Sequence, residues 1–324
     1  MRRSGVIKRI LFATDFSPWA RRAEDYACAL ACSWKASLTV ISIAEFQPGL
    51  NPDYPINQQY LADLLKTASA KLADLKGRAE LRGMTVTTRV ETGIPSEGVV
   101  TAAQAEESDL IVVGTKGKTG LAHVLLGSTA ERVIRGAPCP VLTVRTDQPD
   151  AERKEGALPE PIVLERILVP VDFSDCSLDA VEYAAAVAQQ AKASLMLLHV
   201  LEPVSYGLDF TLGHSRTREQ VRETWTKRLE ELASSLKMAG IPIASQLRGG
   251  LPVDSILDSA QTLPSDLIVM GTHGRRGISH AYSGSVAEAV LRKAPCPVLT
   301  VRSLKLGPGH NRVIPAAMFP VTHK

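Results

Sequence analysis

The chain repeats itself at a distance of 157 positions, and this repeat fixes how many domains it can form and how each is built. Ile10-Leu11-Phe12-Ala13-Thr14-Asp15-Phe16-Ser17 returns as Ile167-Leu168-Val169-Pro170-Val171-Asp172-Phe173-Ser174. Asp109-Leu110-Ile111-Val112-Val113-Gly114 returns as Asp266-Leu267-Ile268-Val269-Met270-Gly271, and Pro138 to Arg145 returns almost letter for letter as Pro295 to Arg302. Landmarks that all keep one offset describe two whole domains, not scattered motifs. A chain of 324 residues has room for both. The organisation expected is a first domain over residues 1–146, a linker over 147–163, a second domain over 164–303 and a flexible tail over 304–324. The linker holds Asp147, Pro149, Asp150, Glu152, Arg153, Lys154 and Glu155 and has no apolar period. Gly307, Pro308, Gly309, Pro315 and Pro320 mark the tail as mostly unstructured, though Val313-Ile314 and Met318-Phe319 are apolar pairs able to dock.

Strands and helices alternate within each copy. Strand 1 is expected over Lys8–Thr14 and Arg166–Val171, followed by a helix for which Ser17 or Ser174 is well placed as N-cap. Strand 2 covers Leu38–Ile43 and Leu195–Val200. A long helix follows, striped by Leu61, Leu64, Leu65, Ala68, Leu72 and Leu75 in one copy and by Val221, Trp225, Leu229, Leu232 and Leu236 in the other. Strand 3 runs Thr85–Glu91 and Pro242–Arg248, and a third helix covers Ser96–Glu106 and Val253–Thr262. Strand 4 ends at Gly114 and Gly271, a fourth helix carries Ala130, Val133 and Ile134 or Ala287, Val290 and Leu291, and strand 5 is Val141–Val144 and Val298–Val301. Such alternation gives a parallel sheet covered on both faces, a doubly wound α/β fold. Ligands of these sheets sit beyond the carboxyl ends of the strands, where strand order reverses. Asp15, Ile43 and Gly114 lie at such ends, as do Asp172, Val200 and Gly271.

One spaced pattern stands out at those ends. Gly114, Gly117, Gly127 and Ser128 follow strand 4 of the first copy, and Gly271, Gly274, Gly284 and Ser285 follow strand 4 of the second. Glycines let a backbone approach phosphate oxygens, and a helix N-terminus supplies free N–H groups and partial positive charge. The competing reading is a pair of structural turns. Asp15 and Asp172 can accept from a ribose hydroxyl or an adenine amine, or can simply cap the following helix. Ile43 and Val200 offer apolar surface to one face of a flat base, or are plain strand residues. Gly117-Lys118-Thr119 is not a P-loop, since the residue five positions before Gly117 is Val112, and the second copy has Gly274-Arg275-Arg276. Lys116, Lys118, His273, Arg275 and Arg276 can reach terminal phosphates or stand as solvated loop charges. His123 and His280, at equivalent positions, are one imidazole per domain and make no metal site.

Bulk properties narrow the rest. A net charge of +3 argues for neither nucleic acid nor an anionic membrane as partner. No apolar run has the length of a membrane span, and Ile10 to Ala13 is too short for a signal segment. The five cysteines are an odd number without framework spacing, which fits a reduced, cytoplasmic setting. Cys28 and Cys32 are read as small helix-packing residues, Cys139 and Cys296 as buried strand starts. No nucleophile, general base or carboxylate pair stands out.

These motifs resemble the universal stress protein family in its tandem two-domain form, over residues 6–145 and 164–302. Gly-x-x-Gly-x9-Gly-[Ser/Thr] is the pattern of its nucleotide-binding members, and both copies keep it whole. The resemblance implies a Rossmann-like fold that holds ATP, with magnesium, at Asp15, Ile43, Gly114, Gly117, Gly127 and Ser128 and at Asp172, Val200, Gly271, Gly274, Gly284 and Ser285. It matches Ala13 and Pro170 to backbone contacts with adenine. It implies a stress-response regulator, not a dedicated catalyst, with slow ATP hydrolysis at most. A slow hydrolase, or a scaffold with vestigial pockets, is the alternative. In place of Leu125 and Leu126 the second copy has Tyr282 and Ser283, a departure from the commoner family form. The resemblance further implies antiparallel pairing of the two fifth strands within the chain, and it allows a homodimer.

Overall fold

The computed structural model describes residues 7–45, 54–80, 83–115, 126–145, 162–203, 214–272, 285–302, 313–315 and 318. The chain divides into two compact units at residues 162–163. In the first, β1 (Arg9–Ala13), α1 (Arg21–Trp34), β2 (Ser37–Ala44), α2 (Pro55–Glu80), β3 (Val86–Thr92), α3 (Pro95–Ala105), β4 (Leu110–Gly114), α4 (Ser128–Gly136) and β5 (Val141–Val144) follow in order. The second repeats the series as β6 (Arg166–Pro170), α5 (Asp175–Ala191), β7 (Ser194–Leu201), α6 (His214–Met238), β8 (Ile243–Gly249), α7 (Pro252–Thr262), β9 (Leu267–Gly271), α8 (Ser285–Lys293) and β10 (Val298–Val301). Every strand foreseen in the sequence is present. Strand order is β3-β2-β1-β4-β5 in the first unit and β8-β7-β6-β9-β10 in the second, and all neighbours within a unit are parallel.

The chain moves outward from β1 to β3 through α1 and α2, then returns through α3 to β4 and through α4 to β5. Right-handed crossovers therefore put the two pairs of helices on opposite faces. Central strands must be apolar on both sides, and they are: Ile10, Leu11 and Phe12 in β1 and Ile111 and Val112 in β4 are at most 1% exposed. The outer strand β3 instead carries Arg89, which bonds Glu106 at 2.8 Å and Glu91 at 2.5 Å. At the amino end of each sheet one carboxylate pins the central strand. Asp109 Oδ2 accepts from Lys8 N and Arg9 N, and Asp266 Oδ2 accepts from Glu165 N and Arg166 N.

One expectation needs correction. Ser174 caps α5, its hydroxyl accepting from Ser177 N at 3.3 Å while the Ser177 hydroxyl donates back to Ser174 O at 3.0 Å. Ser17 does not cap α1, which starts only at Arg21. The residue matching Ser177 is Ala20, which has no hydroxyl to return, and its amide bonds the Ser17 carbonyl instead. In the tail, the apolar pair Val313-Ile314 does dock. Glu182 on α5 accepts from Val313 N at 3.1 Å and Ile314 N at 2.7 Å, the Ile314 side chain is 1% exposed, and Arg228 on α6 donates to Met318 O. A carboxylate facing two amides and an apolar socket offset the entropy of ordering the segment. The linker residues 147–161 lie outside the described residues.

Candidate functional site

Asp15 and Asp172 stand just past the ends of β1 and β6, on turns with one unusual residue. The following Phe16 and Phe173 have φ of 59° and 60°. A bulky side chain in the left-handed region costs about 1–2 kcal/mol. The turn is held by its neighbours: Phe16 N donates to Thr14 Oγ1 at 3.0 Å, and Ser17 N donates to Asp15 Oδ1 at 2.9 Å. In the second unit Ser174 N and its hydroxyl donate to Asp172 Oδ1 at 3.0 and 2.6 Å. Each carboxylate thus gives one oxygen to its own turn.

Around these aspartates the strand ends converge. Thr14 N donates to Ile41 O at 3.0 Å, tying the end of β1 to β2, while Ala13 pairs with Val113 of β4. This places Ala13, Asp15, Ile43 and Gly114 around the switch point between β1 and β4. All four are half-buried. Pro170, Asp172, Val200 and Gly271 take the same places in the second unit and are likewise half-buried. Beside Val200, His199 is buried with Nδ1 2.6 Å from Val171 O. The first unit has Ser42 there.

The glycines separate into two kinds. A Cβ on Gly271 would lie 2.9 Å from the backbone and Sγ of Cys176, so this glycine is required by the close approach of α5. A Cβ on Gly127 would lie 3.2 Å from Thr115 O, and Gly127 N already donates to that oxygen at 2.6 Å. Gly127 therefore sets the entry into α4 as its N-cap, and the amides that follow it, from Ser128 onward, are the ones with no intrahelical acceptor. Ser128 is exposed there. Ser285 is the first residue of α8. Gly117, Gly274 and Gly284 lie outside the described residues, as do the charged loop residues Lys116, Lys118, His273, Arg275 and Arg276 and the histidines His123 and His280.

Sequence reasoning missed the strain at Phe16 and Phe173 and the packing role of Gly271. Phenylalanine after aspartate carries no signal of a left-handed backbone, and Cys176 is 95 positions from Gly271 (271 − 176). Cys28 and Cys139 are buried as expected, whereas Cys32 is exposed and does not pack and Cys296 is half-buried. Burial, seconded by Asp266, pushes the Cys296 thiol up to about 12, far from a nucleophile. Among the described residues no group of three His, Cys, Asp or Glu is disposed to hold a metal ion, and no helix is long and apolar enough to cross a membrane.

A doubly wound parallel domain with an acidic turn, an apolar strand end and a glycine-led helix start at its switch point is a Rossmann-like module. This chain holds two of them. The model of the universal stress protein family matches residues 7–145 and 164–302, and the chain belongs to that family. A universal stress protein of Methanocaldococcus jannaschii is 36% identical over 141 residues, covering 43% of this chain and 83% of its own length. One from Mycolicibacterium smegmatis is 26% identical over 272 residues, 83% of each chain. In three dimensions the chain is similar to a universal stress protein from Archaeoglobus fulgidus, with a TM-score of 0.66 at 20% identity, covering 91% of this chain and 98% of that one.

Proposed function

We propose that the protein is an ATP-binding regulator of the stress response, with one nucleotide site in each half. The observation that carries this reading is the doubled turn at the end of the central strand. Both halves keep a phenylalanine in a strained conformation directly after an aspartate at the switch point, and strain of this kind concentrates at functional sites. In this reading the backbone at Ala13 and Pro170 faces the adenine, and Ile43 and Val200 supply its apolar surface. Asp15 and Asp172 take the ribose hydroxyls. Gly114, Gly117, Gly127 and Ser128, with Gly271, Gly274, Gly284 and Ser285 in the second half, give the triphosphate and its magnesium a cradle ending on a helix N-terminus. Gly127 contributes spacing there, since its amide is already committed to Thr115 O.

The protein works as a binder in this account, and any hydrolysis is slow. Phosphate release at about 1 per second or faster would make it an enzyme instead. We place it in the cytoplasm, and from the family resemblance we take its two fifth strands to pair antiparallel within the chain.

Acid extraction of the purified protein, followed by titration with ATP and magnesium, tests the central claim. Adenine nucleotide in the extract, or saturable uptake of up to two ATP per chain, is the expected outcome. A clean extract together with no heat of binding at millimolar ATP leaves the scaffold alternative standing.

A further inference from the structure

Two large aliphatic side chains stand in water at matching places. Ile94 is 48% exposed and Leu251 is 61% exposed, and the two are again 157 positions apart (251 − 94). A single exposed aliphatic needs no explanation. This one recurs with its whole setting. Each follows a glycine whose backbone an L-residue rarely adopts, Gly93 with φ of 138° and Gly250 with φ of 141°. Each precedes a proline in the first turn of a helix, Pro95 of α3 or Pro252 of α7. Their own backbones nearly coincide, at φ −79° and ψ 118° for Ile94 and φ −78° and ψ 132° for Leu251. A glycine with a fixed turn on one side and a ring-locked residue on the other leave these side chains little freedom of placement.

The turn is tied to the candidate site. Gly93 N donates to Ala44 O at 3.2 Å and Gly250 N to Leu201 O at 3.0 Å. Ala44 and Leu201 are the residues directly after Ile43 and Val200. On the helix side, Gly98 N donates to Ile94 O and Ser255 N to Leu251 O, both at 3.0 Å. Gly98 faces Ile43 closely, for a Cβ there would lie 2.7 Å from Ile43 Cδ1. Ile94 is the N-cap of α3, one turn before the Gly98 against which Ile43 packs, at the carboxyl end of the sheet.

We infer that Ile94 and Leu251 are a second apolar wall for the base of the bound nucleotide, completing in each half the surface that Ile43 or Val200 begins. This inference rests on the nucleotide reading above. The wall selects for a ligand with a flat, weakly hydrated ring and adds nothing to phosphate recognition. Burial of these side chains against a ring removes apolar area from water only in the liganded state, which is why they stand exposed without it.

The test uses the full chain carrying Ile94→Ser and Leu251→Ser together, compared with wild type and with the pair Ile94→Leu and Leu251→Ile. Each is titrated with ATP and magnesium and, separately, with tripolyphosphate and magnesium. ATP affinity should fall about fivefold to tenfold in the serine pair and return in the aliphatic pair. Tripolyphosphate binding, weak or strong, should be the same in all three proteins, and ligand-free melting should not move. Unchanged ATP affinity in the serine pair overturns the wall. So does an equal loss for ATP and tripolyphosphate, which would mean a damaged site. Wild type that takes up no ATP at all overturns the nucleotide reading itself and the wall with it, an outcome visible before any variant is made.

Discussion

The two halves share a backbone at the end of their central strand but cover it differently. In the first, Phe16 is half-buried and has Lys71 Nζ 5.4 Å from its ring centre. In the second, Phe173 is 2% exposed. His199 meets it edge-on at 5.3 Å and Trp225 lies 5.4 Å away, while Arg228 sits over it at 4.5 Å. Arg228 also donates to Met318 O, so the tail joins this cover. Lys71 and Arg228 are equivalent residues, as are Ala68 and Trp225 and Ser42 and His199. The strained turn is thus common property, and among the described residues the aromatic roof over it is seen in the second half. Aromatic contacts of this kind are worth about 0.5–1.5 kcal/mol each beyond area, so the second half holds its turn more firmly.

The comparison breaks most sharply if the tail is removed. A chain ending at Arg302 loses the buried Ile314 side chain and two amide donors to Glu182. We expect the second half to lose about 4 kcal/mol and the first half nothing, from about 1.5–3 kcal/mol for the side chain and a similar amount for bonds to a charged group. Amide exchange in β6, β7 and β9 against β1, β2 and β4 reads the two halves separately. Equal protection loss in both would mean that the tail does not act on the second half alone.

A smaller effect is expected at the glycines. Gly271→Ala drives a methyl to 2.9 Å from Cys176 and should cost about 1–3 kcal/mol, whereas Gly127→Ala meets Thr115 O at 3.2 Å and should cost less. Thermal melts of the two variants rank them, and the reverse order would show that the α5 contact yields more easily than the entry into α4. The mildest pair concerns the serines. Ser174→Ala removes an N-cap and should cost about 1 kcal/mol. Ser17 Oγ is buried with no hydrogen-bond partner among the described residues, so Ser17→Ala should be neutral or slightly stabilising. A loss of about 1 kcal/mol in both would mean that Ser17 has a partner, such as a bound water, after all.

The sequence made the alternation of strands and helices legible, because central strands buried on two sides must be unbroken apolar runs and β1, β4, β6 and β9 are. Strand 5 was legible to the residue, at Val141–Val144 and Val298–Val301, since Pro140 and Pro297 mark where it begins and Arg145 and Arg302 follow its apolar run. The placing of the candidate site at the carboxyl end of the sheet followed from Asp15, Ile43 and Gly114 falling at strand ends. What was not legible depends on partners distant in the chain. The reason Gly271 is glycine lies in Cys176, and the docking of Ile314 depends on a carboxylate 132 positions away. Ser17 and Ser174 look alike in the sequence, and it is the residues that follow them, Pro18-Trp19-Ala20 against Asp175-Cys176-Ser177, that differ where one caps a helix and the other does not.

The carboxylates at the opposite edge of the sheets, Asp109 and Asp266, bear on how each half comes to exist. Each joins a central strand to residues about 100 positions earlier in the chain. β1 emerges first from a ribosome, yet its second neighbour is the fourth strand to be made. Until then one flank of the most apolar strand in the half stands open. Loop-closure entropy falls due before that contact forms, so each half closes late and all at once. A chain of two such halves passes twice through an interval in which its central strand is a ready partner for the wrong edge.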